Sequence, residues 1–536
     1  MTLIVASIRV QSAAQTATDA VRAWAQGATA IELRLDTFGG SLDEIRGLLL
    51  AEADRTWIVT CRAPEEGGDG PADPIDRAKI LYAVAHDTGA HVDIEFATFQ
   101  ASAVARKTAL LAARKSGRTR LILSAHDFAD FPDNPQHLLD AMSAVPEASA
   151  VKLAMTARDI RDAMTTLELL HAPAKPTIAI AMGEPGLISR VLAPKFDAFA
   201  TYACLDGETA TAPGQVTVAD MVKLYRADRM TPLTRVFGVI GAPVAHSMSP
   251  ALHNAWFEAA GLDAVYLPLL VDARPGVLSD FLDAARRMDE LDAGGFSVTV
   301  PHKEAAARYA GPHADDTAQR IGAVNTLMLA PRLPRAVFDP ERGGFVRPLR
   351  DIAACNTDAD AAVASLCDAL GGEAAFHGLT VDVLGTGGAA RAIVASLAPL
   401  GCRVTVYGRD EAKTEQLCEA FGATSAPWDV RLVRRGRLVI QTTSVGMWPK
   451  VEDTPLPPEA LGACDLVFDV IYHPRETRLL RLAAQAGART LDGLAMFLGQ
   501  AARQFEAWTG QTPDMELGRR VVLDRLHARE SESSPS

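Results

Sequence analysis

Cysteine is scarce: seven residues in 536, at Cys61, Cys204, Cys355, Cys367, Cys402, Cys418 and Cys464. No two stand at Cys-x-x-Cys spacing and the count is odd, so neither a disulfide framework nor a structural zinc site is indicated. An excess of positive charge is also missing. Lys and Arg number 53 against 66 Asp and Glu, a net charge of −13, and such a field disfavours nucleic acid or an anionic membrane as partner. No apolar run approaches the ~20 residues of a membrane span. The opening stretch MTLIVASIRV lacks the basic region and long apolar run of a signal peptide. What remains is ordinary globular material, 48% hydrophobic and 22% charged, long enough for roughly three to four domains. The expectation is a soluble cytoplasmic enzyme acting on small molecules, with no metal; a homo-oligomer is compatible with the sequence.

Residues 1–225 alternate short β-rich runs with helical stretches. The runs begin at Leu3, Ala30, Trp57, His91, Arg120, Ala150, Thr177 and Ala198, each about one strand-plus-crossover unit from the next. Eight such units predict a (β/α)8 barrel, with a doubly wound open sheet as the rival. In barrels the reactive groups sit at the C-terminal strand ends. Those ends supply Glu32 and Arg34 (IELRLD), Arg62 (TCR), Glu95 (DIE), His126 with Asp127 (SAHDF), Lys152 (AVKLAM) and, beyond strand seven, Arg190 (LISR).

Taken singly, a strand-end Lys snorkels to water and a strand His is a satisfied core residue. Their convergence on one end argues for chemistry. Lys152 leaves an apolar strand between Val151 and Leu153, and desolvation beside other cations favours a free amine able to attack a ketone. His126 moves protons near neutral pH, Glu95 is placed to fix its tautomer, and Arg190 and Arg62 suit a carboxylate. The set points to imine-based catalysis on a polyhydroxylated keto acid.

The motifs ELRLD, TCR, SAHDF, VKLAMTA, GLISR and TAPGQ, in this order over about residues 1–225, resemble type I 3-dehydroquinate dehydratase. The resemblance implies that Lys152 forms a Schiff base with the C3 ketone. It implies that His126, oriented by Glu95, removes a C2 proton and assists loss of the C1 hydroxyl. Glu32, Arg34, Arg62, Arg190, Thr211 and Gln215 would hold the substrate. Thr211 stands where the family usually has Ser, which keeps the hydroxyl and adds a methyl.

A polar segment, Tyr225–Thr234, leads into a second α/β half. There VLGTGGAARA places Gly385, Gly387 and Ala390 at the positions of a dinucleotide fingerprint between a strand and a helix, with Gly388 and Ala389 in the same turn. About twenty residues on, YGRDEAK carries both signals. Arg409 and Lys413 suit a 2′-phosphate and hence NADP, whereas Asp410 suits the ribose hydroxyls of NAD. Single Ser and Thr residues of this half read equally well as helix caps.

Together, however, HSMSP (Ser247, Ser249), GFSVTVPHK (Thr299, Lys303), GAVNT (Asn325), NTDADA (Asp358), QTTSVGM, FDVIYHPRET and DGLAMFLGQAARQFEAWTG resemble shikimate dehydrogenase over about residues 235–525. The resemblance implies a catalytic pair of Lys303 and Asp358. Ser247, Ser249, Thr299, Asn325, Tyr472 and Gln500 would grip the ring, with Thr443, Val470 and Gly493 beside the cofactor. Two departures stand out: Gly408-Arg409-Asp410 replaces the family's usual Asn-Arg-Thr, and Ala330–Ile352 is a long insertion.

The expected fold is therefore an α/β chain: an N-terminal (β/α)8 barrel followed by a two-lobed dehydrogenase with a Rossmann-type nucleotide lobe. The expected domains are 1–225 for the barrel, 235–370 plus 491–526 for the substrate lobe and 375–490 for the nucleotide lobe. The tail Glu530–Ser536 is expected to be disordered. The product of the first implied reaction, 3-dehydroshikimate, is the substrate of the second, so the implied function is consecutive dehydration and NADPH-dependent reduction to shikimate. Two rivals share the architecture: oxidation of quinate or shikimate with NAD, and a non-catalytic sensor of the same metabolites.

Overall fold

The computed structural model describes residues 1–115, 118–206, 214–330, 337–339, 344–346 and 349–533. The chain divides into two compact units, Met1–Val236 with Asp263–Ala293, and Phe237–Leu262 with Gly294–Ser536.

The first unit holds eight parallel strands: β1 (Leu3–Arg9), β2 (Ala30–Arg34), β3 (Thr56–Thr60), β4 (His91–Glu95), β5 (Leu121–Asp127), β6 (Ala150–Thr156), β7 (Thr177–Met182) and β8 (Ala200–Ala203). Their order in the sheet is β8-β1-β2-β3-β4-β5-β6-β7, sequence order wrapped round on itself. Between β7 and β8 the backbone N–H of Phe199 donates to Thr177 O at 2.8 Å, so the barrel is nearly closed. The strands are buried on both faces, as in parallel sheets generally, and are largely apolar with single polar residues on the inner face.

Their inner face sets up the site. Val5, Ala30, Ile58, Ile122, Ala150, Ile178 and Ala200 form one apolar core cluster inside the barrel. Side chains alternate across a strand, so the next inward position on each lies two residues on. Those positions are Ser7, Glu32, Thr60, Asp93 (on β4), Ser124, Lys152, Ile180 and Tyr202. A polar layer thus rests directly on the apolar one.

In the second unit β9 (Arg235–Gly241), β11 (Ala293–Val298), β12 (Thr326–Leu329) and β13 (Ile352–Cys355) are neighbours in that order within a five-stranded sheet; β10 (Ala264–Leu270) precedes β11 in the chain. Within the Ala330–Ile352 insertion, Val337–Asp339 and Gly344–Val346 pair as an antiparallel hairpin; its residues 331–336, 340–343 and 347–348 lie outside the described set.

The other large sheet of this unit has six parallel strands: β14 (Thr380–Leu384), β15 (Arg403–Gly408), β16 (Thr424–Pro427), β17 (Leu438–Gln441), β18 (Leu466–Asp469) and β19 (Arg489–Leu491). The order β16-β15-β14-β17-β18-β19 reverses direction beside β14, where doubly wound sheets bind nucleotides. Val383, Ile393, Leu397, Val406, Ile440 and Phe468 bury its core. The helix Leu494–Thr509 returns to the substrate lobe, where Trp508 Nε1 donates to Leu327 O at 3.0 Å. The final helix, Met515–Ser533, runs into the tail that the sequence marks as disordered. Once a helix is nucleated, each further residue gains a backbone bond, and Glu and Ser do not stop it. No helix among the described residues is long and apolar enough to cross a membrane.

Candidate active sites

Glu32, Arg34, Arg62, His126, Lys152, Arg190 and Gln215 line one cleft at the C-terminal mouth of the barrel, joined by Glu66, Phe128, Met182 and Tyr202. Lys152 is 5% exposed, with Nζ 3.3 Å from Asp93 Oδ2 and 3.6 Å from Glu32 Oε1. Its polar surroundings are carboxylates rather than the cations that the sequence suggests. Glu32 is itself held, by Ser7 Oγ at 2.5 Å and Thr60 Oγ1 at 2.9 Å. Arg62 is buried and donates to Asp93 (2.9 Å), Glu95 (3.3 Å) and Ser124 (2.7 Å), so much of its hydrogen-bonding capacity is already committed within the protein.

The partner of His126 differs from the sequence expectation. Its Nδ1 lies 2.9 Å from Glu66 Oε2, and its backbone N–H donates to the same oxygen at 3.0 Å. Glu95, expected to orient the imidazole, instead accepts from Arg62 and from the Ala63 backbone N–H at 2.9 Å. It ends β4 and points at the loop after β3, while Glu66 reaches His126 from the short helical turn Pro64–Glu66. Nothing in the spacing of Glu66 announces this. Asp93 was more legible, since it stands two residues before Glu95 and shares its inward face. Thr211 lies outside the described residues.

Charge in this cleft is strongly tuned. Burial pushes the Glu66 carboxyl up to about 7, with Arg62 opposing and Glu95 and Asp93 reinforcing. Burial, and then the Arg62, Lys152 and Arg34 cations, hold His126 well below its usual value. The imidazole is therefore neutral at physiological pH and available as a base. Asp93 is held down at about 2 because Arg62 and Lys152 outweigh its burial. Burial lowers the Arg190 guanidinium to about 10.

In the second unit Lys303 opens the helix Lys303–Ala310, and its Nζ lies 2.5 Å from Asp358 Oδ2. Asp358 opens the helix Asp358–Leu370. Its other oxygen accepts from Asn325 Nδ2 at 2.9 Å, and Asn325 also bonds Thr357 Oγ1 at 3.0 Å. Gln504 was missed from the sequence; it donates to Asn325 O at 3.0 Å and accepts from Ser297 Oγ at 2.7 Å, fixing this corner from behind. Gln500 meets it through its carbonyl, which accepts from Thr357 Oγ1 at 3.1 Å. A second group forms around Ser247 and Ser249, bonded at 3.2 Å, with Tyr472 bound to the Met248 backbone and stacked on Phe497. Thr299 starts the turn into Lys303, its carbonyl accepting from the His302 N–H.

The glycine turn fits a dinucleotide. Gly385 has φ +115°, and a Cβ there would lie 2.6 Å from Thr442 Oγ1; one on Gly388 would meet Lys303 Cδ at 2.8 Å. Gly388 and Ala389 open the helix Gly388–Leu397, and the free backbone amides of a helix start favour an anion such as a pyrophosphate. Thr443 is braced by Gln441 at the end of β17, Val470 follows β18, and Gly493 precedes the returning helix. At the end of β15, a Cβ on Gly408 would lie 2.1 Å from Thr414 Oγ1, which explains the glycine where the family usually has Asn. Arg409 is exposed; Lys413 pairs with Glu304 at 3.1 Å; Asp410 caps the helix Glu411–Phe421, accepting from the Lys413 N–H at 3.0 Å. No group of three or more His, Cys, Asp or Glu that could hold a metal occurs among the described residues.

Barrel, buried lysine and neutral imidazole, joined to a Rossmann lobe facing a Lys–Asp pair, define a class: a lyase barrel fused to a nicotinamide-dependent dehydrogenase. Comparison with known proteins narrows it. The type I 3-dehydroquinase family matches residues 4–232, the shikimate dehydrogenase substrate-binding domain 239–327 and the shikimate 5′-dehydrogenase C-terminal domain 493–523. The bifunctional 3-dehydroquinate dehydratase/shikimate dehydrogenase of Arabidopsis thaliana, a chloroplastic protein, is 33% identical over 96% of this chain and 83% of its own. Shikimate dehydrogenase (NADP(+)) of Methanosarcina mazei is 38% identical over 55% of this chain and all of its own. The crystal structure of Thermus thermophilus shikimate 5-dehydrogenase with NADP(H) and shikimate is 32% identical, covering 54% of this chain and 99% of its own at a TM-score of 0.44.

The chain belongs to the bifunctional 3-dehydroquinate dehydratase/shikimate dehydrogenase family. It is an enzyme of the shikimate pathway, a lyase and an oxidoreductase in one polypeptide.

Proposed function

We propose that Lys152 and His126 carry the dehydration, Lys303 and Asp358 the reduction, and that the reducing cofactor is NADPH. In the barrel the Lys152 amine adds to the C3 ketone of 3-dehydroquinate, and loss of that oxygen as water leaves an imine. The imine acidifies C2, neutral His126 takes the C2 proton, and the electron pair expels the C1 hydroxyl, which leaves as water with a proton from the imidazolium. Hydrolysis of the imine frees 3-dehydroshikimate and Lys152. Glu66, not Glu95, holds the imidazole. Glu32, Arg34, Arg190, Thr211 and Gln215 bind the hydroxyls and carboxylate; Arg62 acts chiefly through Asp93 and Ser124.

In the second site Ser247, Ser249, Thr299, Asn325, Tyr472 and Gln500 grip the ring, and Lys303 gives its proton to the ketone oxygen, with Asp358 steadying the ammonium. NADPH, when bound, would supply the hydride to the ketone carbon. Gly385, Gly387, Gly388 and Ala389 would hold its pyrophosphate, Thr443, Val470 and Gly493 its nicotinamide end, and Arg409 and Lys413 its 2′-phosphate. The working domains on this reading are 1–225, 235–370 plus 491–526, and 375–490. A cytoplasmic protein working on small molecules, alone or as a homo-oligomer, is consistent with it.

The observation that carries the NADPH assignment is the engagement of Asp410. One oxygen of its carboxylate is bound to the helix N-terminus, which accounts for its presence without a ribose to hold. Initial rates of 3-dehydroshikimate reduction with NADPH and with NADH test it. NADPH should win by at least tenfold in kcat/KM; a preference for NADH would overturn the assignment and favour the oxidative rival.

A further inference from the structure

Tyr202 has no place in the chemistry above, yet it forms part of the cleft wall. It ends the inward face of β8, is 3% exposed, and presents its ring to Lys152, whose Nζ lies 4.0 Å from the ring centroid. The ring alone serves two purposes: it completes the apolar core cluster and offers a π-face to an ammonium. Phenylalanine would do both. The hydroxyl is the surplus feature, and it is buried without a hydrogen-bond partner among the described residues.

Buried hydroxyls are paired in folded proteins, and an unpaired one lowers stability relative to an apolar group of the same shape. The nearby carboxylates are already engaged: Glu32 accepts from Ser7 and Thr60, and Asp93 from Arg62, Ser124 and Lys152. Burial, reinforced by Glu32 and Asp93, holds the phenol well above its ordinary range, so it remains an O–H donor throughout the working pH. Tyr202 lines the cleft beside the nucleophilic amine, and its hydroxyl is a donor on that wall with no acceptor of its own among the described residues.

We infer that Tyr202 is a ligand-binding residue of the dehydratase site, its phenolic O–H donating to an oxygen of the cyclic keto acid held over Lys152. The inference rests on the reading of this cleft as the dehydratase site, and its test separates the two. Tyr202→Phe keeps the ring and removes the donor. The expected result is an unchanged or higher thermal midpoint without ligand, a fall of about tenfold in kcat/KM for dehydration, and unchanged reduction of 3-dehydroshikimate with NADPH. Borohydride in the presence of saturating substrate should still add the reduced ligand mass to the variant at Lys152. Unchanged dehydration kcat/KM would overturn the inference, as would a loss accompanied by a lower midpoint without ligand, which marks a structural role. Failure of borohydride to trap ligand on Lys152 of the unsubstituted enzyme would overturn the site reading itself, and the inference with it.

Discussion

Glu66 Oε2 accepts from the backbone N–H of His126 at 3.0 Å and lies 2.9 Å from its imidazole Nδ1. Two bonds to one oxygen fix both the position and the rotation of the ring, and leave Nε2 for the substrate. Substituting Glu66→Gln should therefore lower dehydration kcat by on the order of 10²-fold while reduction stays unchanged. Imidazole NMR gives the check. The His126 resonances should respond to Glu66→Gln; a response to Glu95→Gln alone would contradict the pairing.

Asp469 is buried, accepts from Thr477 Oγ1 at 2.7 Å and from the Ile471 N–H at 3.1 Å, and is pushed from 3.8 to about 7 by burial. Between about pH 4 and 7 the folded state holds a proton that the unfolded chain has released, so stability falls as pH rises through that window. Asp469→Asn abolishes this loss. Its thermal midpoint relative to the parent should move in its favour from pH 5 to pH 8, by on the order of 1–3 kcal/mol in stability. A constant difference across that range would contradict the assignment.

Lys303→Met should lower reduction kcat by about 10²- to 10⁴-fold and leave dehydration intact. Asn325→Ala should act in the same direction and more weakly, because Asn325 Nδ2 holds the second oxygen of Asp358 at 2.9 Å. Separate assays of the two half-reactions measure both effects. A loss of dehydration in either variant would count against distinct sites.

Arg409 and Asp410 are adjacent and should behave differently. Arg409→Ala should raise the KM for NADPH about tenfold with little change for NADH. Asp410→Ala should instead destabilise by about 1 kcal/mol through the lost cap and leave the NADPH-to-NADH ratio unaltered. Thermal melts and paired KM values distinguish the two; a ratio that follows Asp410 would return that residue to the ribose.

Much of this was legible in the sequence because it is periodic. Strand β4 shows where the reading stopped. Its Asp93 and Glu95 share the inward face by the period of two, yet sequence order says nothing of which of them meets Lys152 and which meets the loop after β3. Glu66 was invisible for a different reason: it lies in a three-residue turn whose direction depends on the packing of the barrel mouth. Gly408 was visible as a departure and its cause was not, since the Thr414 hydroxyl comes back on it from six residues further along the chain. Lys303 and Asp358 were named through the resemblance of GFSVTVPHK and NTDADA to the family's motifs and not through any period; the structure adds that each opens a helix.

The most direct test of two consecutive sites supplies 3-dehydroquinate with NADPH and follows cofactor oxidation in the parent and in Lys152→Ala. The account predicts oxidation by the parent and none by Lys152→Ala, which should nevertheless oxidise NADPH at the parental rate when given 3-dehydroshikimate. If Lys152→Ala lost both activities while remaining folded, or kept oxidation with 3-dehydroquinate, the assignment of the two steps to separate sites would be wrong.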